Sequence, residues 1–205
     1  MTGPETAGGD QRVFRLLFVC TANQCRSPMA EVIASHECLV RGIAAEVASA
    51  GLMAGGMPAS RGATRATAAR GLDLSRHESR TVTAELLGMA DLVLAMERRH
   101  LIQIAELDMG FLERSFTLRG LADLASLLGP RPPAESPGSW IGRAAGARDR
   151  ATVLAHRPGD DLPDPMGGSR RDYRRTADEI HRRVSRILTM LFPDHPAPAV
   201  TSPSG

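Results

Sequence analysis

Hydrophobic positions in this chain switch repeatedly between two periodicities. VFRLLFV (13–19) is a nearly continuous apolar run that reads as a buried strand, and SPMAEVIASHECLVR (27–41) has the three- and four-residue spacing of a helix. AEVASA (45–50) is a second short strand candidate, ending at Gly51 and a Gly-rich stretch through Gly56. Residues 58–71 and 82–89 read as helices, and DLVLAM (91–96) is a further strand leading into the polar helix ERRHLIQIAEL. RSFTL (114–118) reads as a fourth strand backed by the helix GLADLASLLG. Strands alternating with helices require crossover connections, which predicts an α/β fold around a parallel sheet.

Beyond Leu128 the Pro-rich segment 129–139 reads as a loop. Trp140, Ala144, Ala147, Ala151 and Leu154 then recur at helical spacing and predict a helix within an insertion spanning 129–160. The strongest periodic element comes last, with Tyr173, Ala177, Ile180, Val184, Ile187 and Leu191 on one stripe and arginine on most other faces. Residues 1–11 and 193–205 are poor in large apolar residues and read as disordered tails around a single domain, 12–192. No internal repeat is present.

At 205 residues the chain has the length of one domain able to bury a substantial core. No apolar run reaches the roughly 18 residues of a spanning helix, and MTGPETAGGD lacks a basic-then-apolar leader pattern. The expected setting is therefore the cytoplasm, away from membranes, with the three cysteines as reduced thiols. All 25 basic residues are arginine. Lysine-dependent chemistry is thereby excluded, while arginine is well suited to gripping tetrahedral oxyanions. A net charge of +2 does not argue for nucleic acid, and Asp172, Asp178 and Glu179 interrupt the arginine stripe of 170–186, which reads as a solvated helix face.

Candidate chemistry concentrates in Cys20-Thr21-Ala22-Asn23-Gln24-Cys25-Arg26-Ser27-Pro28, between a strand end and a helix start. Backbone N–H groups converge at such a turn, and the helix terminus adds partial positive charge, so the loop is a natural oxyanion site. A thiol at its start shares that field with Arg26, and its pKa is expected to fall toward the thiolate. Pro28 suits the first helical turn and Ser27 is a candidate cap. The geometry implied is a nucleophile aimed at a bound tetrahedral anion. Thr21, Ala22, Asn23, Gln24, Cys25 and Ser27 are the candidate substrate-binding positions.

FVCTANQCRSPMAE resembles the signature of the low-molecular-weight protein tyrosine phosphatases. The similarity continues through Ser49-Ala50-Gly51, His77-Glu78-Ser79-Arg80, residues 90–96 and Asp164-Pro165, covering about residues 13–192. The resemblance implies a three-layer α/β/α fold with a four-stranded parallel sheet. It implies Cys20 as nucleophile through a cysteinyl-phosphate, Arg26 as phosphate clamp, and Asp164 as general acid and then base. Ser27 would donate to the sulfur, and Asn23, Ser49 and His77 would brace the loop. A thiolate coexisting with a protonated carboxyl implies an activity optimum on the acidic side of neutral, with no metal or other cofactor.

The implied substrate is a phosphorylated protein, phosphotyrosine foremost, or a small phosphomonoester, handled by a monomer. Met166-Gly167-Gly168 stands where the tyrosine phosphatases usually carry an aromatic residue. Gln24 replaces their aliphatic residue, at a position where the related arginine phosphatases have threonine, and Ala22 replaces a usual glycine. Protein arginine phosphatase and an oxyanion-binding pseudophosphatase are therefore the alternatives. Thioredoxin-coupled arsenate reduction needs cysteines downstream, and none follows Cys38. Cys25 is open between a disulfide partner for Cys20 and simple packing. Cys38 reads as core, the methionines as packing, and His100 and His181 as solvated helix residues.

Overall fold

In the computed structural model, which describes residues 12–148, 153–155, 157 and 159–197, β1 (Phe14–Cys20) lies at the centre of a parallel sheet. β2 (Ala45–Gly51) pairs along its whole length on one side, from Phe14 opposite Ala45 to Cys20 opposite Gly51. β3 (Leu92–Ala95) pairs on the other side and carries β4 (Ser115–Thr117), giving the order β2-β1-β3-β4. Burial on both faces explains why β1 and β3 read as unbroken apolar runs rather than as alternating ones. Phe14, Leu16, Phe18 and Cys20 enter one hydrophobic layer, while Leu17 and Val19 enter the other.

The first layer is formed by α1 (Arg26–Arg41), α2 (Arg61–Ala68), α5 (Leu118–Leu128), α6 (Pro137–Gly146) and α7 (Arg170–Leu191). The second is formed by α3 (Ala84–Met89) and α4 (Arg98–Leu107) with a 3₁₀ turn at Met109–Arg114. The three-layer α/β/α architecture and its four parallel strands agree with the sequence reading. α1 stops at Gly42, whose φ of 67° lets its N–H cap the carbonyls of Cys38 and Leu39. α7 starts with a capping box, in which Ser169 and Asp172 satisfy each other's backbone N–H groups. Its apolar stripe, Tyr173 through Leu191, packs on α1, α2 and α5.

Several sequence-based boundaries need correction. The helix foreseen over 58–71 is the shorter α2, because Ser60 caps its start and the chain leaves the helix through Gly71 at φ 73°. α6 begins at Pro137, inside the segment read as loop, since Ser136 caps it and a proline at the first turn loses no hydrogen bond. It ends at Gly146, so Ala147 only closes the helix and Leu154 lies in a turn; Ala151 lies outside the described residues. Trp140 nonetheless fills the core, fully buried, with its indole N–H donated to the Gly129 carbonyl at 3.3 Å.

The tail boundary also moves. His195 bonds the Arg41 carbonyl at 3.0 Å and Asp194 lies 3.6 Å from Arg131, so the fold continues to these residues. Residues 1–11 and 198–205, read as tail, lie outside the described residues. His181 is tied to Glu37 at 2.8 Å rather than simply solvated, and His100 is completely buried.

Candidate active site

Cys20 is the last residue of β1, at the carboxyl edge of the sheet, where the chain leaves β2 on one side and β3 on the other. That crevice is where ligands bind in open α/β sheets, because the connections diverge there. The loop 21–25 then turns back over β2, which must offer no side chain beneath it. A Cβ on Gly51 would stand 2.7 Å from the Asn23 nitrogen, so glycine is required for the close approach. The Thr21 carbonyl accepts from the N–H groups of Leu52 at 2.8 Å and Met53 at 3.0 Å, fixing the loop to the strand end.

Asn23 is the one non-glycine among the described residues with positive φ, 52°, in the left-handed region that asparagine tolerates. Ala22 has no such requirement, which explains why a residue with a Cβ is accommodated there. The fully buried Asn23 side chain organises the loop. Its amide donates to Ser27 Oγ at 2.9 Å and Ser49 Oγ at 2.7 Å, and its Oδ1 accepts from the Arg80 N–H at 2.9 Å. His77 Nε2 donates to the Asn23 carbonyl at 2.7 Å. Ser49 in turn donates to Glu31 at 2.5 Å.

Ser27 Oγ already accepts from Asn23, so its own proton is available for Cys20 Sγ at 3.0 Å, with the Ala50 carbonyl at 3.3 Å as a weaker alternative. Ser27 therefore serves the sulfur and does not cap α1; the N-cap position is Cys25, whose side chain makes no capping bond. Cys25 and Cys20 are both free thiols. Burial, with Asp164 and Cys20 nearby, pushes the Cys25 thiol up to about 12, leaving it protonated and unreactive as a nucleophile.

Arg26 opens α1 and is 1% exposed. Its guanidinium donates to Glu97, to the Leu162 carbonyl at 2.9 Å and to Asp164 Oδ2 at 2.7 Å, while its Nε has no partner. Asp164 thus meets the arginine of the cysteine loop from 138 positions away. Asp164 remains partly open to solvent, 38% exposed, at the pocket mouth.

Three further residues shape the site without having been singled out in the sequence, Glu31, Glu97 and Arg99, and His100, read there as a solvated helix residue, joins them from the core. Glu97 caps α4 in a reciprocal box with His100, a variant of a familiar helix-start spacing that was the available signal. Burial pushes the Glu97 carboxyl up, but hydrogen bonds from Arg99 and Arg26 outweigh it and hold the pKa below the ordinary glutamate value. Burial drives His100 down to about 4, so the ring is neutral near pH 7. Its Nδ1 accepts from the Glu97 N–H at 3.1 Å, leaving Nε2–H to donate to Thr21 Oγ1 at 3.0 Å. Arg99 also donates to that hydroxyl at 3.0 Å. Among the described residues no cluster of His, Cys, Asp and Glu could hold a metal ion.

A strand-end cysteine with a serine hydroxyl on its sulfur, a buried arginine at the following helix start and a converging carboxylate define a cysteine-centred oxyanion loop on a doubly wound α/β sheet. The low molecular weight phosphotyrosine protein phosphatase profile matches residues 15–121, and the chain belongs to that family. Among its relatives is the protein-arginine-phosphatase of Bacillus subtilis, 29% identical over 180 residues that cover 87% of this chain and 97% of that protein. The low molecular weight protein-tyrosine-phosphatase Wzb of Salmonella typhi is 38% identical over 96 residues, 45% of this chain and 60% of that one. Among solved structures, the YwlE arginine phosphatase with a phosphorylated active-site serine superposes with a TM-score of 0.68 at 28% identity, covering 88% of this chain and 97% of that one. The low molecular weight protein tyrosine phosphatase of T. tengcongensis superposes at 0.64 with 29% identity, covering 85% and 97% respectively.

Proposed function

We propose that the chain is a cysteine-dependent phosphatase that hydrolyses phosphorylated proteins, phosphotyrosine foremost, in the cytoplasm and as a monomer whose single catalytic domain extends through His195. The observation that carries this reading is the pairing of Cys20 Sγ with Ser27 Oγ beside Arg26, which in turn holds Asp164. The Cys20 thiolate attacks phosphorus, the P–O bond to the leaving group breaks, and the Asp164 carboxyl protonates the departing oxygen. Water, deprotonated by the resulting Asp164 carboxylate, then attacks the phosphocysteine, releasing inorganic phosphate and restoring the thiolate beside the Ser27 hydroxyl. The loop amides of residues 21–26 and the Arg26 guanidinium stabilise the oxyanion. The Arg26–Asp164 contact at 2.7 Å sets the carboxyl beside the bound phosphoryl group, within reach of the leaving oxygen.

A second reading, dephosphorylation of phosphoarginine with cleavage of a P–N bond, is supported by the polar Gln24 and by full-length similarity to arginine phosphatases. The deciding experiment is turnover of phosphotyrosyl and phosphoarginyl peptides by wild-type and Cys20→Ser protein, with vanadate as inhibitor. Vanadate-sensitive hydrolysis that vanishes in the variant is the expected outcome, and the preferred peptide identifies the leaving group. Phosphate binding without turnover on either peptide or on an aryl phosphate would replace the enzyme by an oxyanion-binding pseudophosphatase.

A further inference from the structure

Between α2 and α7 runs a groove of about 550 Å³ lined by Arg65, Arg170 and Arg174 on its sides. Gly62, Ala66, Ala69, Gly167 and Gly168 supply most of the remaining lining, with Tyr173. α2 meets α7 at Gly62, where a Cβ would stand 2.4 Å from the Tyr173 ring, and Ala66 continues the same surface. Both ends of this packing are anchored to the reaction site. The Ser60 N–H at the start of α2 donates to the Gln24 carbonyl of the catalytic loop at 2.7 Å. The Tyr173 hydroxyl meets Met166 Sδ at 3.7 Å, two residues beyond Asp164, and Gly168 closes that turn onto the Pro165 carbonyl at 2.9 Å. The groove is thus tied to the two segments that carry the cysteine loop and Asp164.

Its charge is unbalanced. The acidic residues of α7 are already engaged: Asp172 in the helix cap, Asp178 with Arg70, and Glu179 with Arg119 and Arg183. Arg65, Arg170 and Arg174 are exposed and form no ion pair among the described residues, and neither do Arg61, Arg171 and Arg175 close by in sequence. Three unpaired guanidinium groups lining the groove, with three more close by in sequence, make this face strongly cationic. A groove lined mostly by small residues, with arginine from both helices, suits an extended chain bearing carboxylates, which arginine pairs with bidentately.

We propose that this groove is a docking track for an acidic stretch of the phosphoprotein substrate, holding residues adjacent to the phosphorylated side chain. The inference rests on the phosphatase reading and refines it by naming the substrate's flanking chemistry. It predicts specificity expressed in KM and weakened by salt, since the contacts are exposed ion pairs.

The test compares phosphotyrosyl peptides carrying four glutamates or four glutamines, placed before or after the phosphotyrosine, with a small aryl phosphate assayed in the same preparations. The glutamate peptide in the favoured direction is expected to have a kcat/KM at least fivefold above its glutamine counterpart at low salt, shrinking toward parity at 0.5 M salt. Arg65→Gln with Arg174→Gln should abolish that ratio, whereas Arg186→Gln, three turns further along α7, should preserve it. Equal kcat/KM for both peptides overturns the inference, as does a ratio that survives the double substitution. Binding of an oligonucleotide at the groove without peptide discrimination overturns it in favour of a nucleic-acid partner. Absence of aryl phosphate hydrolysis would instead remove the phosphatase reading, and the inference with it.

Discussion

Asp164 reaches the site from a turn, partly exposed, and is held by one arginine edge. In the mechanism proposed above its carboxyl acts by proton transfer, a contribution of roughly 10²–10⁴-fold. Asp164→Asn, which keeps the shape and removes the proton exchange, is expected to lower kcat by about that range, with the largest loss for esters of basic alcohols. A leaving-group series checks this, and an unchanged slope against leaving-group pKa would exclude Asp164 as the acid.

His100 makes a second prediction at the same scale. The folded protein holds its pKa near 4, against 6.5 for an unperturbed histidine. Above pH 6.5 neither state binds this proton; between 6.5 and 4 the unfolded chain binds it and the native one does not, so stability falls as pH falls. The full difference amounts to roughly 3 kcal/mol. Glu97 and Glu37 have depressed pKa values and contribute only below the ordinary glutamate value of 4.5, so the window above it isolates the histidine. Urea unfolding of wild-type and His100→Asn protein between pH 4.7 and 7 should show a steep slope that the variant loses. Parallel slopes would mean that His100 is not the responsible group.

At the scale of elements, the catalytic loop is held from below by β2 as firmly as by its own sequence. Gly51 lies under the loop backbone, with the Asn23 nitrogen, the Ala22 carbonyl carbon and the Thr21 oxygen all within 2.9 Å of where a Cβ would stand. Gly51→Ala must therefore lift the loop rather than displace a flexible side chain. Overpacking of this kind destabilises by about 1–3 kcal/mol. Here the larger effect is expected on activity, a tenfold or greater loss in kcat/KM with phosphate affinity reduced in parallel, measured by steady-state kinetics and competitive inhibition by phosphate. Full activity in the alanine variant would show that the loop tolerates displacement.

The element scale also shows where sequence periodicity stops being informative. β1, α1, β3 and α7 were legible because burial on two faces or along one stripe leaves a strong imprint on residue order. α6 was misplaced at both ends: its start depended on a Ser-Pro cap inside a Pro-rich stretch, and its alanine spacing continued past the point where the helix closes. The 3₁₀ turn at Met109–Arg114 left no periodic trace, as expected of an element held by Asp108 and by its packing on α4 and α6.

For the molecule as a whole, the segment after α5 contributes core rather than decoration. Trp140 is fully buried against the layer built by α5 and α7, and Arg148 reaches back to the Ser115 carbonyl at 2.7 Å and over the Phe116 ring at 4.0 Å. Trp140→Ala is expected to destabilise the fold by about 3–5 kcal/mol, seen as a lower denaturant midpoint with little change in its slope. A change below 1 kcal/mol would mean that this layer is dispensable.

The sequence by itself determined the parallel α/β architecture and the loop from Cys20 to Ser27, because a strand end, a phosphate-sized turn and a helix start are local events written in consecutive residues. It also identified Asn23, Ser49, His77 and Asp164 through family resemblance, without showing how they meet. Only the tertiary structure decided that Asn23 directs the Ser27 proton to the sulfur, that Glu97 and His100 support Arg26 and Thr21 from α4, and that the arginines of α2 and α7 face one groove. The contacts of Glu97 with Arg26 and of His100 with Thr21 join residues 71 and 79 positions apart, and no periodicity within a single element records what packing brings together from different ones.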